Sequence, residues 1–204
     1  MKLGQLRSSA RRLRCDARWR TSTGTANRRG TAASRRLSSW PWWRAPAHCG
    51  RAKPSNSGAA PGYLARHGWR VSAVDLVDRA VRQARGKAAA AAGADVTVLC
   101  GDATRLDEVG APGPYDLFFD LSCYCGIPPH RRDAYAAGLT ERAAPGARLL
   151  MFGYGPGAFD DSWSGVTGDE LSARFSGWQL TDVTPGTNPV PTFWFTLQRT
   201  ADAA

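Results

Sequence analysis

From residue 61 onward, apolar positions fall in short β-branched or aromatic runs separated by Ala- and Arg-rich stretches. Arg70 to Val74 and Asp95 to Leu99 are two such runs, bounded by Gly68-Trp69 and by Gly101-Asp102, and each reads as a strand. Between them Asp78 to Ala92 is rich in helix formers, with Ala80, Val81, Ala84 and Ala88 on one face, and Gly93 stops it. Tyr63 to His67 reads as the end of a helix stopped by Gly68. Tyr115 to Leu121 is a third strand, Pro128-Pro129 open a helix from His130 to about Ala143, and Pro145-Gly146 are expected to end it. Arg148 to Tyr154 is a buried strand. Thr167 to Glu170 is a capping box, and Trp178 to Val183 and Thr192 to Gln198 are two last strands joined without a helix. The pattern predicts an α/β fold: a doubly wound, mostly parallel, Rossmann-like sheet that closes on an antiparallel C-terminal strand pair.

Strand–helix–strand units pack as right-handed crossovers, and open α/β sheets bind ligands beyond the carboxyl ends of their strands. Asp75 and Asp102 stand at two such ends and are expected to face one crevice.

Residues 1–60 break the pattern. They contain no Val, Ile, Phe or Tyr and only four Leu, so no strand or persistent amphipathic helix is drawn there. Charge divides at the same boundary: this segment holds 14 of the 27 basic residues and one of the 17 acidic ones. The rest is slightly acidic, so the basicity belongs to a tail of 1–60 and not to the domain of 61–204. Three explanations compete. The Arg- and Ser-rich segment resembles a transit peptide; it could be a nucleic-acid-binding arm using Arg and Trp; or it is translated out of frame. Sliding the frame by two bases, Pro54 to Gly62 admits V-E-L-G-C-G-T-G, His48-Cys49 forces a Leu, and the Trp40 to Trp43 run becomes apolar. That supplies a strand and a glycine-rich turn where the fold has none, and we adopt the out-of-frame reading. In the chain as written the first strand and its glycine turn are then missing or degraded.

Five cysteines at irregular spacing form no disulfide framework, which points to a reducing, cytoplasmic setting. No apolar run approaches membrane-spanning length. Cys123 and Cys125 form a lone C-x-C with no second ligand cluster, so no metal is expected.

The order of elements, with Leu64 to Leu76, Val98 to Thr104, Tyr115 to Arg132, Ala143 to Phe152 and Pro191 to Arg199, resembles the class I S-adenosylmethionine-dependent methyltransferases. Tyr115 to Arg132 and the ending are similar to the thiopurine-methyltransferase-like small-molecule branch. The resemblance implies S-adenosyl-L-methionine as cofactor and a small-molecule methyl acceptor, with a monomer as the working form and neither membrane nor nucleic acid as partner. It implies cofactor-binding roles for Asp75 (ribose hydroxyls), Leu76 (against the adenine), Asp102 (adenine amino group), Ala103 (through its backbone N–H) and Ser122 (toward the transferred methyl). Asp capping, core packing and loop solvation are the plainer roles of the same residues. Asp120 shares the strand end with Ser122, and a buried structural role suits it equally. No catalytic residue is named, because a sulfonium carries its own activation. The family's glycine turn, D/E-x-G-x-G-x-G, is replaced here by Lys53 to Gly58, so impaired cofactor binding is expected of this chain. A nucleotide-binding oxidoreductase is the alternative enzyme class, and a nucleic-acid-binding protein using the Arg-rich segment is the third reading.

Overall fold

In the computed structural model, residues 22–28, 59–90, 95–159, 165–187 and 189–200 are described, with 22–28 and 59–61 as backbone only. Most of the 1–60 tail, together with Gly93, therefore lies outside the described residues.

Strand β2 (Trp69–Asp75) is buried at Trp69 and at every position from Val71 to Val74. Such a continuous run needs cover on both faces, which places it inside a sheet and not at an edge. On one face α1 (Ala59–Arg66) and α2 (Asp78–Ala90) supply that cover. Leu64 and Ala65 pack on Trp69 and Val71, while Val81 packs on Ala73 and on Val98 of β3 (Val96–Cys100). Gly68, at a φ of 82°, turns the chain from α1 into β2 while its N–H donates to Ala65 O at 3.0 Å.

The other face carries the main core. Phe118 of β4 (Tyr115–Leu121), Leu149 and Met151 of β5 (Ala143–Tyr154), and Phe195 and Leu197 of β7 (Thr192–Arg199) alternate inward. Against them lie Tyr124, Tyr135, Leu139, Leu171 and Phe175. These come from α4 (Cys123–Gly126), α5 (Arg132–Glu141), α6 (Gly168–Arg174) and the residue that ends α6. The Tyr135 ring meets Tyr124 at 5.7 Å and Phe175 at 6.5 Å between centroids, both edge-on. Thr167 caps α6 by accepting the Glu170 N–H at 3.1 Å, as the capping box predicts. A short α3 (Leu106–Val109) and β6 (Trp178–Pro185) complete these elements.

With β1 (Ser22–Arg28), the sheet has seven strands in the order β3-β2-β1-β4-β5-β7-β6. Neighbours β2–β3 and β4–β5 pair parallel, and β6–β7 antiparallel, as expected for the C-terminal pair. Strands β2 to β6 share one direction; β1 and β7 oppose it.

Two expectations are corrected. Residues 1–60 do contribute a strand: Ser22–Arg28 fills the slot between β2 and β4 and runs antiparallel to both. Its sequence, Ser-Thr-Gly-Thr-Ala-Asn-Arg, has no apolar face for periodicity to detect; a ladder on either side holds it, and β-branched Thr suits a strand. The helix before β5 also ends sooner than Pro145-Gly146. Arg142 closes it, Tyr115 N–H donates to Arg142 O at 2.8 Å, and β5 begins at Ala143. Pro145-Gly146 instead sit inside the strand, where Gly146 takes a φ of 74° and the register against β4 shifts.

Candidate functional site

A cavity of about 60 Å³ opens beyond the carboxyl ends of β2 and β3. Val74 and Leu76 line it from β2, Gly101 to Thr104 from β3, and Cys123, Gly126 to Pro128 and Arg131 from across the sheet. Leu76, Asp102 and Ala103 therefore share one crevice, while Asp75, expected to face it together with Asp102, is not among the residues that line it. Asp75 sits immediately beside it. Gly101 N–H donates to Asp75 O at 3.0 Å, which ties the two strand tips together.

The carboxylates at these tips differ in what they have left to offer. Asp75 is half-buried; its Oδ1 accepts the Val77 N–H at 2.8 Å, and no partner meets Oδ2 among the described residues. Burial raises its pKa, and the Val77 N–H only partly offsets this. Asp102 is more fully engaged. Its Oδ1 accepts the Thr104 N–H at 2.9 Å and the Thr104 hydroxyl at 2.8 Å, and its Oδ2 accepts Arg131 Nη2 at 2.5 Å. Burial alone would raise the Asp102 pKa; these donors and the Arg131 charge outweigh it and hold the carboxyl below its usual range. A carboxylate accepts about four hydrogen bonds, so Asp102 keeps one position on Oδ2. Next to it, the Ala103 N–H has no partner among the described residues. The crevice thus offers an acceptor beside a donor.

Ser122 does not line the crevice. It ends β4 at a φ of 66°, half-buried, with its N–H donating to Phe152 O at 3.0 Å, and it precedes Cys123, which does line the crevice. Asp120 is fully buried and committed to structure. Its Oδ1 accepts the Cys123 N–H at 2.6 Å; its Oδ2 accepts the Tyr124 N–H at 3.0 Å and the Tyr135 hydroxyl at 2.7 Å. Burial pushes its pKa up to about 6 against those three bonds. Cys125 Sγ accepts the Tyr154 N–H at 3.3 Å, and burial moves its thiol up to about 11. Among the described residues no group of three or more His, Cys, Asp or Glu side chains stands together to hold a metal.

Sequence reading missed the two arginines that follow the Pro128-Pro129 turn. Arg131 lines the crevice and donates through Nη2 to both Asp102 and the Thr104 hydroxyl oxygen. Arg132 is buried: its Nη1 donates to both Glu170 oxygens at 2.8 and 2.9 Å, its Nε donates to Ile127 O at 3.0 Å, and its guanidinium lies 4.8 Å from the Tyr124 ring centroid. Glu170 also accepts from Tyr124 and Arg174. This network fixes Gly126 to Arg131, one whole wall of the crevice. The available signal was Glu170, already placed by its capping box and able to balance a buried arginine.

Residues 49–176, more than half of the chain, match the thiopurine S-methyltransferase family. A 2-heptyl-1-hydroxyquinolin-4(1H)-one methyltransferase of Mycobacteroides abscessus is 27% identical over 127 residues, which cover 60% of this chain and 55% of the relative. The chain thus spans about half the length of the curated relative it matches. Among solved structures, the N-methyltransferase NodS of Bradyrhizobium japonicum, in complex with S-adenosylhomocysteine, superposes with a TM-score of 0.58 at 14% identity over 70% of this chain and 72% of its own. The 1,6-didemethyltoxoflavin-N1-methyltransferase of Burkholderia thailandensis, with 1,6-didemethyltoxoflavin and S-adenosylhomocysteine bound, gives 0.55 at 22% identity over 70% of this chain and 68% of its own. At such identities these two show the fold; the matched residues show more, and the chain belongs to the thiopurine S-methyltransferase family.

Proposed function

We propose that this chain transfers a methyl group from S-adenosyl-L-methionine to a small molecule. The observation that carries the reading is the free acceptor on Asp102 beside the unpaired Ala103 N–H. An amino group next to a ring nitrogen, the edge that adenine presents, complements that pair. Asp75 supports it one strand away, where its open Oδ2 suits ribose hydroxyls, and Leu76 lines the crevice against the base. The adenosine half of the cofactor therefore fits these residues. For the methionine half the support is thinner: Arg28, the carboxyl end of β1, pairs with Trp69 at the base of β2, away from the crevice. We take this as support for the reading that residues 1–60 are out of frame, which the DNA sequence across codons 20–65 tests directly.

When bound, the cofactor supplies a methyl group already activated on a sulfonium. The chain's own part is to hold the nucleoside, align an acceptor and exclude water. Asp75, Asp102 and Ala103 do the first. Asp120 holds the chain from Ser122 to Tyr124, at the end of β4 where we place the acceptor, by accepting two of its backbone N–H groups. Family membership favours a transferase over the oxidoreductase and nucleic-acid readings. We place the protein in the cytoplasm as a monomer; in support, Cys100, Cys123 and Cys125 are thiols and not disulfide halves. No helix among the described residues is long and apolar enough to cross a membrane.

Titration calorimetry with S-adenosylhomocysteine, on this chain and on a frame-restored version, tests the reading. Binding by the restored chain that disappears in Asp102→Ala is expected. A restored chain that binds no adenosine derivative overturns it.

A further inference from the structure

Arg131, Asp102 and Thr104 close a ring of hydrogen bonds at one end of the crevice. The Thr104 hydroxyl donates to Asp102 Oδ1, while Arg131 Nη2 donates to Asp102 Oδ2 and to Thr104 Oγ1. Such a ring fixes the carboxylate's rotamer and fills two of its roughly four acceptor positions, and the Thr104 N–H fills a third. Arg131 is itself held in place. It lies in the single 3₁₀ turn Pro129–Arg131, its N–H donates to Pro128 O at 2.8 Å, and its neighbour Arg132 is bound to Glu170.

We infer that Arg131 sets the base specificity of this crevice, fixing Asp102 so that its one remaining acceptor stands beside the Ala103 N–H and admits a 6-aminopurine but not a 6-oxopurine. The inference rests on the adenosine reading given above. An amino group at position 6 donates to Asp102 while the adjacent ring nitrogen accepts from Ala103. A 6-oxopurine reverses both, turning a carbonyl oxygen toward the carboxylate and an N–H toward the Ala103 N–H. Turning the base over would restore the match, but a ribose held at Asp75 fixes which way round the edge is presented. Protonating Asp102 would relieve the clash with the carbonyl, though not the one at the Ala103 N–H, and Arg131 opposes that protonation. Among the described residues Arg131 is the one charge that bears on Asp102; Cys123, across the crevice, is the other titratable group lining it, and Asp75 on the neighbouring strand bonds to Val77 N–H instead.

The test is calorimetry with S-adenosylhomocysteine and its counterpart carrying hypoxanthine for adenine, using the full chain, Arg131→Gln and Arg131→Lys between pH 5.5 and 8. The full chain should prefer the adenine ligand by about 100-fold, the scale of a mismatched charged hydrogen bond. Arg131→Gln should weaken the adenine ligand about tenfold and cut the preference to below about tenfold. The hypoxanthine ligand should bind this variant more tightly as pH falls, because a neutral Asp102 can donate to the carbonyl. Arg131→Lys should restore much of the preference. If Arg131→Gln weakens both ligands equally, or binds the adenine ligand more tightly, Arg131 is only a wall or an obstruction and the inference is overturned. A full chain that binds both ligands equally overturns it too, and leaves the methyltransferase reading standing. Binding of neither ligand, even after frame restoration, overturns the adenosine reading itself and this inference with it.

Discussion

Replacing Asp120 with Asn separates two effects that a buried carboxylate combines. In the native chain this side chain is fully buried and accepts two backbone N–H groups of α4 and the Tyr135 hydroxyl. Burial still wins, raising its pKa from 3.8 to about 6. A raised native-state pKa means the folded chain binds this proton more tightly than the unfolded one. Stability from this group is therefore greatest at about pH 4 and falls as pH rises through about 6. The two pKa values give a total loss of about 3 kcal/mol at about 1.4 kcal/mol per pKa unit, of which about 2 kcal/mol falls between about pH 4.5 and 7.5 because the loss begins below the unfolded-state value. Asn cannot ionise, so Asp120→Asn lacks the loss. At about pH 4.5 the variant should be less stable by about 1 kcal/mol, because its NH₂ group faces donors that a protonated Asp accommodates better. At about pH 7.5 it should be more stable by about 1 kcal/mol, a reversal of sign. Urea unfolding of both proteins at five pH values measures it, since other titrating groups cancel in the difference. A difference that stays constant within about 0.5 kcal/mol from pH 4.5 to 7.5 refutes the account: Asp120 would then be ionised throughout and better satisfied than its burial implies.

Three further perturbations address the same site. Arg132→Met leaves half-buried Glu170 against Tyr124 with only Arg174 as counter-charge and should cost about 2–3 kcal/mol in urea unfolding, whereas the double variant with Glu170→Leu should recover most of it. Asp75→Ala should lower S-adenosylhomocysteine affinity about 10- to 100-fold by calorimetry, while costing only about 1 kcal/mol of stability through the lost Val77 bond. Cys125, with its thiol pushed up to about 11, should react with iodoacetamide at pH 8 far more slowly than exposed Cys100, as followed by peptide mass spectrometry.

Signals that are local in the chain were legible. The strand read as Arg70 to Val74 announces itself by its β-branched residues and the Gly68-Trp69 before it, the turn after α1 by Gly68, and the start of α6 by Thr167 and Glu170 three residues apart. Asp75 and Asp102 stand at neighbouring strand tips, as a strand–helix–strand unit requires, although of the two only Asp102 lines the crevice. What was missed is decided across long separations in sequence. Arg131 reaches Asp102 over 29 residues and Arg132 reaches Glu170 over 38. In the sequence they are a basic pair beside two prolines, with nothing nearby to mark one as a crevice wall and the other as a buried strut. The start of β5 was misplaced for a related reason: Pro145-Gly146 is a strong local stop signal, but the ladder to Tyr115 recruits Ala143 ahead of it. Tertiary pairing overrode the local preference.

The direction of β1 bears on how the crevice is built. A slot between two strands of like direction offers unpaired N–H and C=O groups on both sides, and those groups need partners whichever way the inserted strand runs. Antiparallel insertion satisfies them with seven residues against β2 and four against β4. It also carries Arg28 to the base of the sheet, while Ser22 pairs with Asp75 at the crevice end. The side we propose for adenosine does not depend on this choice, because Asp75, Leu76, Asp102 and Ala103 belong to β2, β3 and the turns that follow them, and α1 and α2 hold those strands from their own face. For the methionine side we propose that it does depend on it, because β1 brings its own carboxyl end, Arg28, to Trp69 at the base of β2. The two halves of the crevice are therefore separable. Changes upstream of Ala59 act on affinity through the amino-acid end of the ligand and leave the preference for the base unchanged.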